Sequence, residues 1–255
     1  MTNVTDYPLL VFVLSFFILW LSARIGASFL RRWRKPEEDI REDLGVILAA
    51  TLTMLGLIIA FSFSMAVSRY DQRKNYEEEE ANAIGTEYVR ADLLPASDAA
   101  KVHALLRDYL DERVLFYTTR DEQQIRQINS RTAHLQTELW SALLAPVAAQ
   151  PTPPIALVVS GMNDVLNSQG YTQAAWWNRI PIAAWVLMAA MAICCNMLAG
   201  YGARNVKAEG ILLLVLPLVV SIAFFLIADI DSPRRGVIRV HPQNLESLVE
   251  SLRAP

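Results

Sequence analysis

The sequence predicts an all-α integral membrane protein, with four transmembrane helices and a helical extramembrane domain between the second and third. Three observations carry that expectation. Four apolar runs are each long enough to cross a hydrocarbon core of about 30 Å as a helix. The segment 69–179 between the second and third repeats its apolar residues at helical spacing, with no strand alternation competing. The composition is 53% hydrophobic, with a mean hydropathy of +0.27, yet 19% charged. That is too apolar for an ordinary soluble domain and too polar to lie wholly in lipid, so membrane and aqueous parts must be segregated along the chain. A net charge of -3 gives no basic field, which argues against a nucleic-acid partner. The expected division is 1–68 for the first two spans, 69–179 for the helical domain, 180–228 for the last two spans and 229–255 for a polar tail.

The first run is Tyr7 to Ala23, with Arg24 snorkelling at its end and Ile25 to Leu30 finishing the helix. No basic segment precedes it and no small-residue cleavage site follows, so it reads as an uncleaved span. Arg31 to Asp43 mixes both signs densely and reads as a solvated connector.

The second run, Leu44 to Ser68, carries no charge, and its helix is expected to continue through Arg69, Arg73 and Lys74 to Glu80, because no Gly or Pro interrupts it there. Gly56, Ala60, Ser64 and Ser68 recur at four-residue spacing and form a small-residue face. Two readings follow from it: close helix packing, which small residues permit in lipid, or a pore lining, since Thr51, Thr53, Ser62, Ser64 and Ser68 give the helix many hydroxyls. Glu77 to Glu80 read as a solvated charge run. With Arg69 and Arg73, Glu77 and Glu80 are also the candidate charges of a pore mouth, although only one or two of four successive helical residues could face an axis.

Beyond Pro95, Ser97 is a candidate N-cap, and Val102, Leu105, Leu106, Tyr109 and Leu110 form one helical face. A further helix is expected from Thr119, with Glu122 completing a capping box. Its seam is Ile125, Ile128, Thr132, Leu135, Leu139 and Ala142, ended by Pro146. Ile155 to Leu166 suggest a third amphipathic helix that stops near Gly170. Trp176 and Trp177 stand where an aromatic belt would place them, ahead of the runs Ile180 to Ala203 and Gly210 to Ala228. Arg204 and Lys207 lie in the link between those runs. In the tail, Asp229 and Asp231 read as exposed salt-bridge partners of Arg234 and Arg235, and Asn244 to Leu252 as an amphipathic end.

Four spans put both termini on one side. The short connectors hold Arg31, Arg32, Arg34, Lys35, Arg41, Arg204 and Lys207, so the positive-inside rule places the termini and the polar segment outside the cytoplasm.

Several stretches together resemble a bacterial membrane family known only as bestrophin-like. They are Ser68-Arg69-Tyr70-Asp71-Gln72-Arg73-Lys74, Glu80-Ala81-Asn82-Ala83-Ile84-Gly85-Thr86-Glu87-Tyr88, Arg90-Ala91-Asp92-Leu93-Leu94-Pro95, and Ile227-Ala228-Asp229-Ile230-Asp231-Ser232-Pro233-Arg234-Arg235-Gly236. Phe61, eight residues before Arg69, is similar to the Phe that closes the pore-lining helix of bacterial bestrophins. The resemblance implies a homo-oligomeric, pentameric ion channel of the bacterial inner membrane. Leu57 and Phe61 would then correspond to neck residues, and Thr53 stands where a further apolar neck residue would be expected. The resemblance also implies cytoplasmic termini, against the charge count.

Other chemistry is thin. His103, His134 and His241 are isolated, and Cys194 and Cys195 are neighbours within an apolar run, so no metal site, disulfide framework or catalytic triad can be assembled. Neither a cofactor nor an enzymatic activity is expected. Two function classes remain: an oligomeric ion channel with the second helix lining its pore, and a non-conducting scaffold or sensor whose helical domain binds a partner protein.

Overall fold

The computed structural model describes residues 4–30, 38–149, 151–203 and 212–253, and among these it is all-helical, with no strand. Four helices are long and apolar enough to cross a membrane. The chain divides into two compact units, one formed by 1–69 and 179–239, the other by 70–178 and 240–255. The stretch 229–255, read as one polar tail, therefore splits after Arg239.

In the first unit, α1 (Pro8–Ile25) packs against α6 (Ile182–Gly202) and α7 (Leu212–Asp231). Pro8 opens α1, where a missing N–H leaves nothing unsatisfied. The helix then widens into a π turn over Gly26–Leu30. Here two glycines let backbones meet. A Cβ on Gly26 would lie 2.1 Å from the Met197 carbonyl oxygen, and one on Gly200 would lie 2.0 Å from that of Ala23. Gly56, on the face that left close packing and pore lining both open, has nothing among the described residues within 4 Å of its missing Cβ.

The second helix, α2, spans Glu38–Arg90. It starts inside the expected connector and passes Glu80 by ten residues, where Ala81 and Ile84 keep the apolar side of the helix buried beyond the acidic run. The basic residues at 31–35, with Arg204 and Lys207, lie outside the described residues.

The second unit adds α3 (Ala96–Thr118), α4 (Glu122–Ala149), α5 (Pro153–Trp177) and α8 (Gln243–Arg253) around one core. Val102, Leu106, Tyr109 and Leu110 are buried as their spacing predicts, as are Ile128, Thr132, Leu135, Leu139 and Ala142 of α4.

The ends of these helices differ from the sequence reading. Pro95, with its φ of -54°, occupies the cap position of α3, so Ser97 lies inside the helix. Asp121, not Thr119, caps α4: its Oδ1 accepts the N–H groups of Gln123 and Gln124 at 3.0 and 2.8 Å. Pro146 lies inside α4 and does not end it, since a proline near the last turn removes one backbone hydrogen bond and only a short piece of helix follows. Gly170 does not stop α5, since a glycine costs a helix only about 1 kcal/mol and packing outweighs that.

Trp176 consequently falls on the buried face of α5, its ring 4.9 Å from that of Phe116 and 5.4 Å from that of Tyr117, rather than in an aromatic belt. Trp177 is exposed.

Candidate functional site

The candidate site is α2, whose two faces differ in chemistry. At about 100° per residue, Thr53, Gly56, Leu57, Ala60, Phe61, Ser64 and Ser68 fall within an arc of about 140°. All seven are exposed, Leu57 at 50% and Phe61 at 69%. Leu55, Ser62 and Ala66 lie on the opposite side of the helix and are buried. Among the described residues, the small and hydroxyl-bearing face is therefore not packed against the other spans. Ser62 is the exception among the hydroxyls, and Thr51 is half-buried. Thr53 donates its hydroxyl proton to the Ala49 carbonyl at 2.9 Å, and Thr51 donates to that of Leu48 at 3.0 Å. Each therefore presents an oxygen lone pair and a methyl group, not a donor.

Past Ser68 the buried side of α2 becomes ionic. Arg69 is half-buried, 4.0 Å from Asp231. Asp231 also accepts from Arg179 Nε at 3.0 Å and from the Ile180 N–H at 3.3 Å, and Arg179 reaches Asp6 at 2.8 Å. Asp229 accepts the N–H groups of Val237 and Ile238 at 2.7 and 2.8 Å. Both aspartates are buried, which corrects the expectation of exposed surface pairs. The chain folds back at Gly236, where a Cβ would lie 2.2 Å from the Asp229 carbonyl oxygen, and so brings backbone donors onto the carboxylate.

Arg73, Glu77, Glu80 and Glu87 are buried, whereas Glu78 and Glu79 are exposed. The solvated acidic run is corrected accordingly: spacings of four, three and seven put these four residues on one side of the helix, facing the rest of the helical unit. Glu80 binds the Arg113 guanidinium of α3 through Nε and Nη2, and accepts from Tyr117 at 3.3 Å and Thr172 at 3.1 Å. That many donors to one carboxylate offset the cost of burying its charge. Burial pushes the Tyr117 hydroxyl far above its ordinary range, and the neighbouring Glu80 charge adds to the shift. Glu77 accepts from the N–H groups of Asn244 and Leu245 at the start of α8.

Glu87 is different. It has no solvent exposure and neither of its carboxyl oxygens has a hydrogen-bond partner. Burial pushes its pKa up to about 8, against the pull of Arg90. It fits only because α5 has a glycine opposite: a Cβ on Gly161 would lie 2.0 Å from Glu87 Oε2.

Among the described residues no cluster of His, Cys, Asp or Glu has the arrangement of a metal site. His103 lies 2.8 Å from the Tyr88 carbonyl and 3.5 Å from Asp92, and His134 pairs with Glu138. Arg113, Tyr117 and Thr172 went unnoticed in the sequence reading, since each is defined by a partner distant along the chain. Glu87, read only as part of a family stretch, is set apart by its burial.

A family model described as a bestrophin-like domain matches residues 10–245. The chain belongs to the bestrophin-like family. No curated protein matches it.

Among solved structures, a bacterial bestrophin homologue from Klebsiella pneumoniae superimposes with a TM-score of 0.62 at 13% identity, over 94% of this chain and 95% of that one. A point variant of a bacterial bestrophin homologue from the same organism gives 0.63 at 13% identity, over 94% and 97%. A point variant of a protein described only as a membrane protein gives 0.64 at 11% identity, over 94% and 97%. At such identities the similarity speaks for the fold alone. The fold is that of a bestrophin-like membrane protein.

Proposed function

We propose that this bestrophin-like chain assembles with copies of itself around a symmetry axis and conducts ions, with the exposed face of α2 lining the pore. The observation that carries this reading is that Thr53, Gly56, Leu57, Ala60, Phe61, Ser64 and Ser68 all sit on the face of the span that the chain leaves uncovered. Thr53, Ser64 and Ser68 are polar, and polar side chains inside a membrane ordinarily face a protein interior or water, not lipid. Leu57 and Phe61 on that face supply an apolar constriction able to stop ions by excluding water. Bestrophins are channels, and membership of the related family makes conduction the expected activity. A pentamer in the bacterial inner membrane is the assembly the resemblance implies.

Arg73, Glu77 and Glu80 are engaged inside the helical unit, which favours an uncharged neck over a charged ring as the selective element. The Lys and Arg of the short connectors support an orientation with termini and helical domain outside the cytoplasm. Ion flux through purified protein in liposomes tests the function directly. The non-conducting scaffold keeps one observation in its favour, a groove of about 650 Å³ between α2 and α8 lined by Asn82, Thr86, Asn244 and Ser247. Well-folded oligomer that passes no ions would put that reading ahead.

A further inference from the structure

Three glutamates on the buried side of α2 are held in different ways. Glu77 and Glu80 each accept several donors, whereas Glu87, without solvent exposure, has no hydrogen-bond partner at either oxygen. Gly161 of α5 presses directly on it: a Cβ there would collide with both Glu87 Oε2 and Arg90 Nη1, so the contact leaves no room for water between the carboxyl and the α5 backbone. We propose that this contact is a proton-operated latch: α5 closes on α2 at Gly161 while Glu87 carries a proton, and loss of that proton drives the two helices apart there until water reaches the carboxylate.

The first reason is the lack of donors. A carboxylate withdrawn from water without hydrogen bonds is far costlier than a neutral carboxyl, so a helix contact built on one holds only while the group is neutral. Burial accordingly pushes the Glu87 pKa up to about 8, with Arg90 of its own helix pulling it down and Asp164 of α5 adding to the rise. On α3, His103 is turned instead to the Tyr88 carbonyl at 2.8 Å and to Asp92 at 3.5 Å.

The second reason is that the contact lies close to the surface. Arg90 is half-buried and Asp164 exposed, 4.0 Å apart, so a small separation of α2 from α5 admits water and offers the ionised carboxylate the Arg90 guanidinium. In water the carboxyl returns to its ordinary 4.5, and each opening above that pH releases a proton. The opening constant therefore rises about tenfold per pH unit between about 4.5 and 8, about a thousandfold in all, and levels off above. A protonation equilibrium that biases one of two packings is the general form of a pH switch. The inference concerns the helical unit alone and is independent of conduction.

The test measures distances between spin labels in the purified full chain, with Cys194 and Cys195 replaced. One pair, Thr86→Cys with Asn163→Cys, sits on exposed positions of α2 and α5 beside the contact; a second, Asp108→Cys with Thr137→Cys, spans α3 and α4. From pH 6 to pH 9 the first pair should gain a longer distance whose population grows at least tenfold, while the second pair keeps its distance. In Glu87→Gln the first pair should stay short at both pH values. Infrared spectra of the wild type, which need no variant, should show a protonated-carboxyl C=O band at pH 6 that fades by pH 9. An unchanged distance across α2 and α5 in the wild type would overturn the proposal, as would a pH-dependent distance that persists in Glu87→Gln or the lack of the infrared band at pH 6. Lengthening of both pairs together would overturn it too, since the whole unit would then be melting.

Discussion

Glu77 holds the helix that begins beside Asn244, 167 positions further along the chain: its Oε1 accepts the Asn244 N–H at 3.0 Å while Oε2 accepts the side-chain amide at 2.7 Å. With the Leu245 N–H also on Oε1, this carboxylate caps the N-terminus of α8 from outside the helix.

Glu77→Ala should therefore loosen α8 selectively. Loss of a charged cap with buried hydrogen bonds costs about 2 kcal/mol. Hydrogen exchange over 243–253 should speed up by at least tenfold, whereas Glu78→Ala, one residue away but exposed, should leave it unchanged. Equal protection in both variants would remove the capping role.

Glu87 makes stability depend on pH in a direction opposite to that of a salt-bridged carboxylate. Its folded pKa of about 8 lies above its ordinary 4.5, so the folded chain holds a proton that the unfolded chain has released. Below about pH 4.5 both states are protonated and nothing is lost. As pH rises from there to about 8 the folded state loses stability, by on the order of a few kcal/mol, and above 8 the loss is complete. Melting at pH 5 and pH 8 should show the fall in wild type and a flatter profile in Glu87→Gln. Gly161→Ala should destabilise at every pH, because its methyl would occupy the carboxylate's place. A wild-type profile as flat as that of Glu87→Gln would contradict this.

The regular part of the architecture was legible because spans, amphipathic faces and their order depend on local periodicity. The buried stripe of α2 obeyed the same rule, with Arg73, Glu77, Glu80, Ile84 and Glu87 spaced four, three, four and three apart, but charged side chains at those positions made it read as a solvated face. Their partners Arg113, Tyr117 and Thr172 lie 33, 37 and 92 positions from Glu80, and no local rule joins them. Trp176 was readable in principle, since it continues the stripe of Met162, Val165 and Thr172 once Gly170 is not taken as a stop. Asp231 was not, because its ionic partner Arg179 lies 52 positions away.

Orientation should follow the connector charges. In a variant with Cys194 and Cys195 replaced, an impermeant thiol reagent applied to intact cells should label a cysteine at Ser130, on the exposed side of α4, and not one at Asn205. The reverse pattern would place the helical unit in the cytoplasm, the arrangement the bestrophin resemblance implies.

Gly56 distinguishes assembly from folding. Among the described residues nothing lies within 4 Å of its missing Cβ, so Gly56→Leu should leave helicity and melting of the monomer unharmed, with a gain of up to about 1 kcal/mol from helix propensity. If the exposed face meets other copies, the same change should shift the oligomer distribution or the ion flux, while Ile58→Leu should not. Unchanged assembly and flux in Gly56→Leu would turn this face towards lipid.

Conduction is tested at Leu57 and Phe61. Both side chains project from the uncovered face of α2 one turn apart, so in a symmetric assembly around that face each would contribute an apolar ring. Such rings block ions because water leaves a narrow apolar passage, and an ion cannot follow without losing its hydration. Replacing both residues by Ala widens and wets the passage, and flux in liposomes should rise severalfold. Val219→Ala removes a comparable apolar group from the exposed side of α7, away from the proposed axis, and should leave flux alone. A well-folded oligomer that stays silent both as wild type and with Leu57 and Phe61 replaced would sink the channel, because the double substitution removes the barrier the reading depends on.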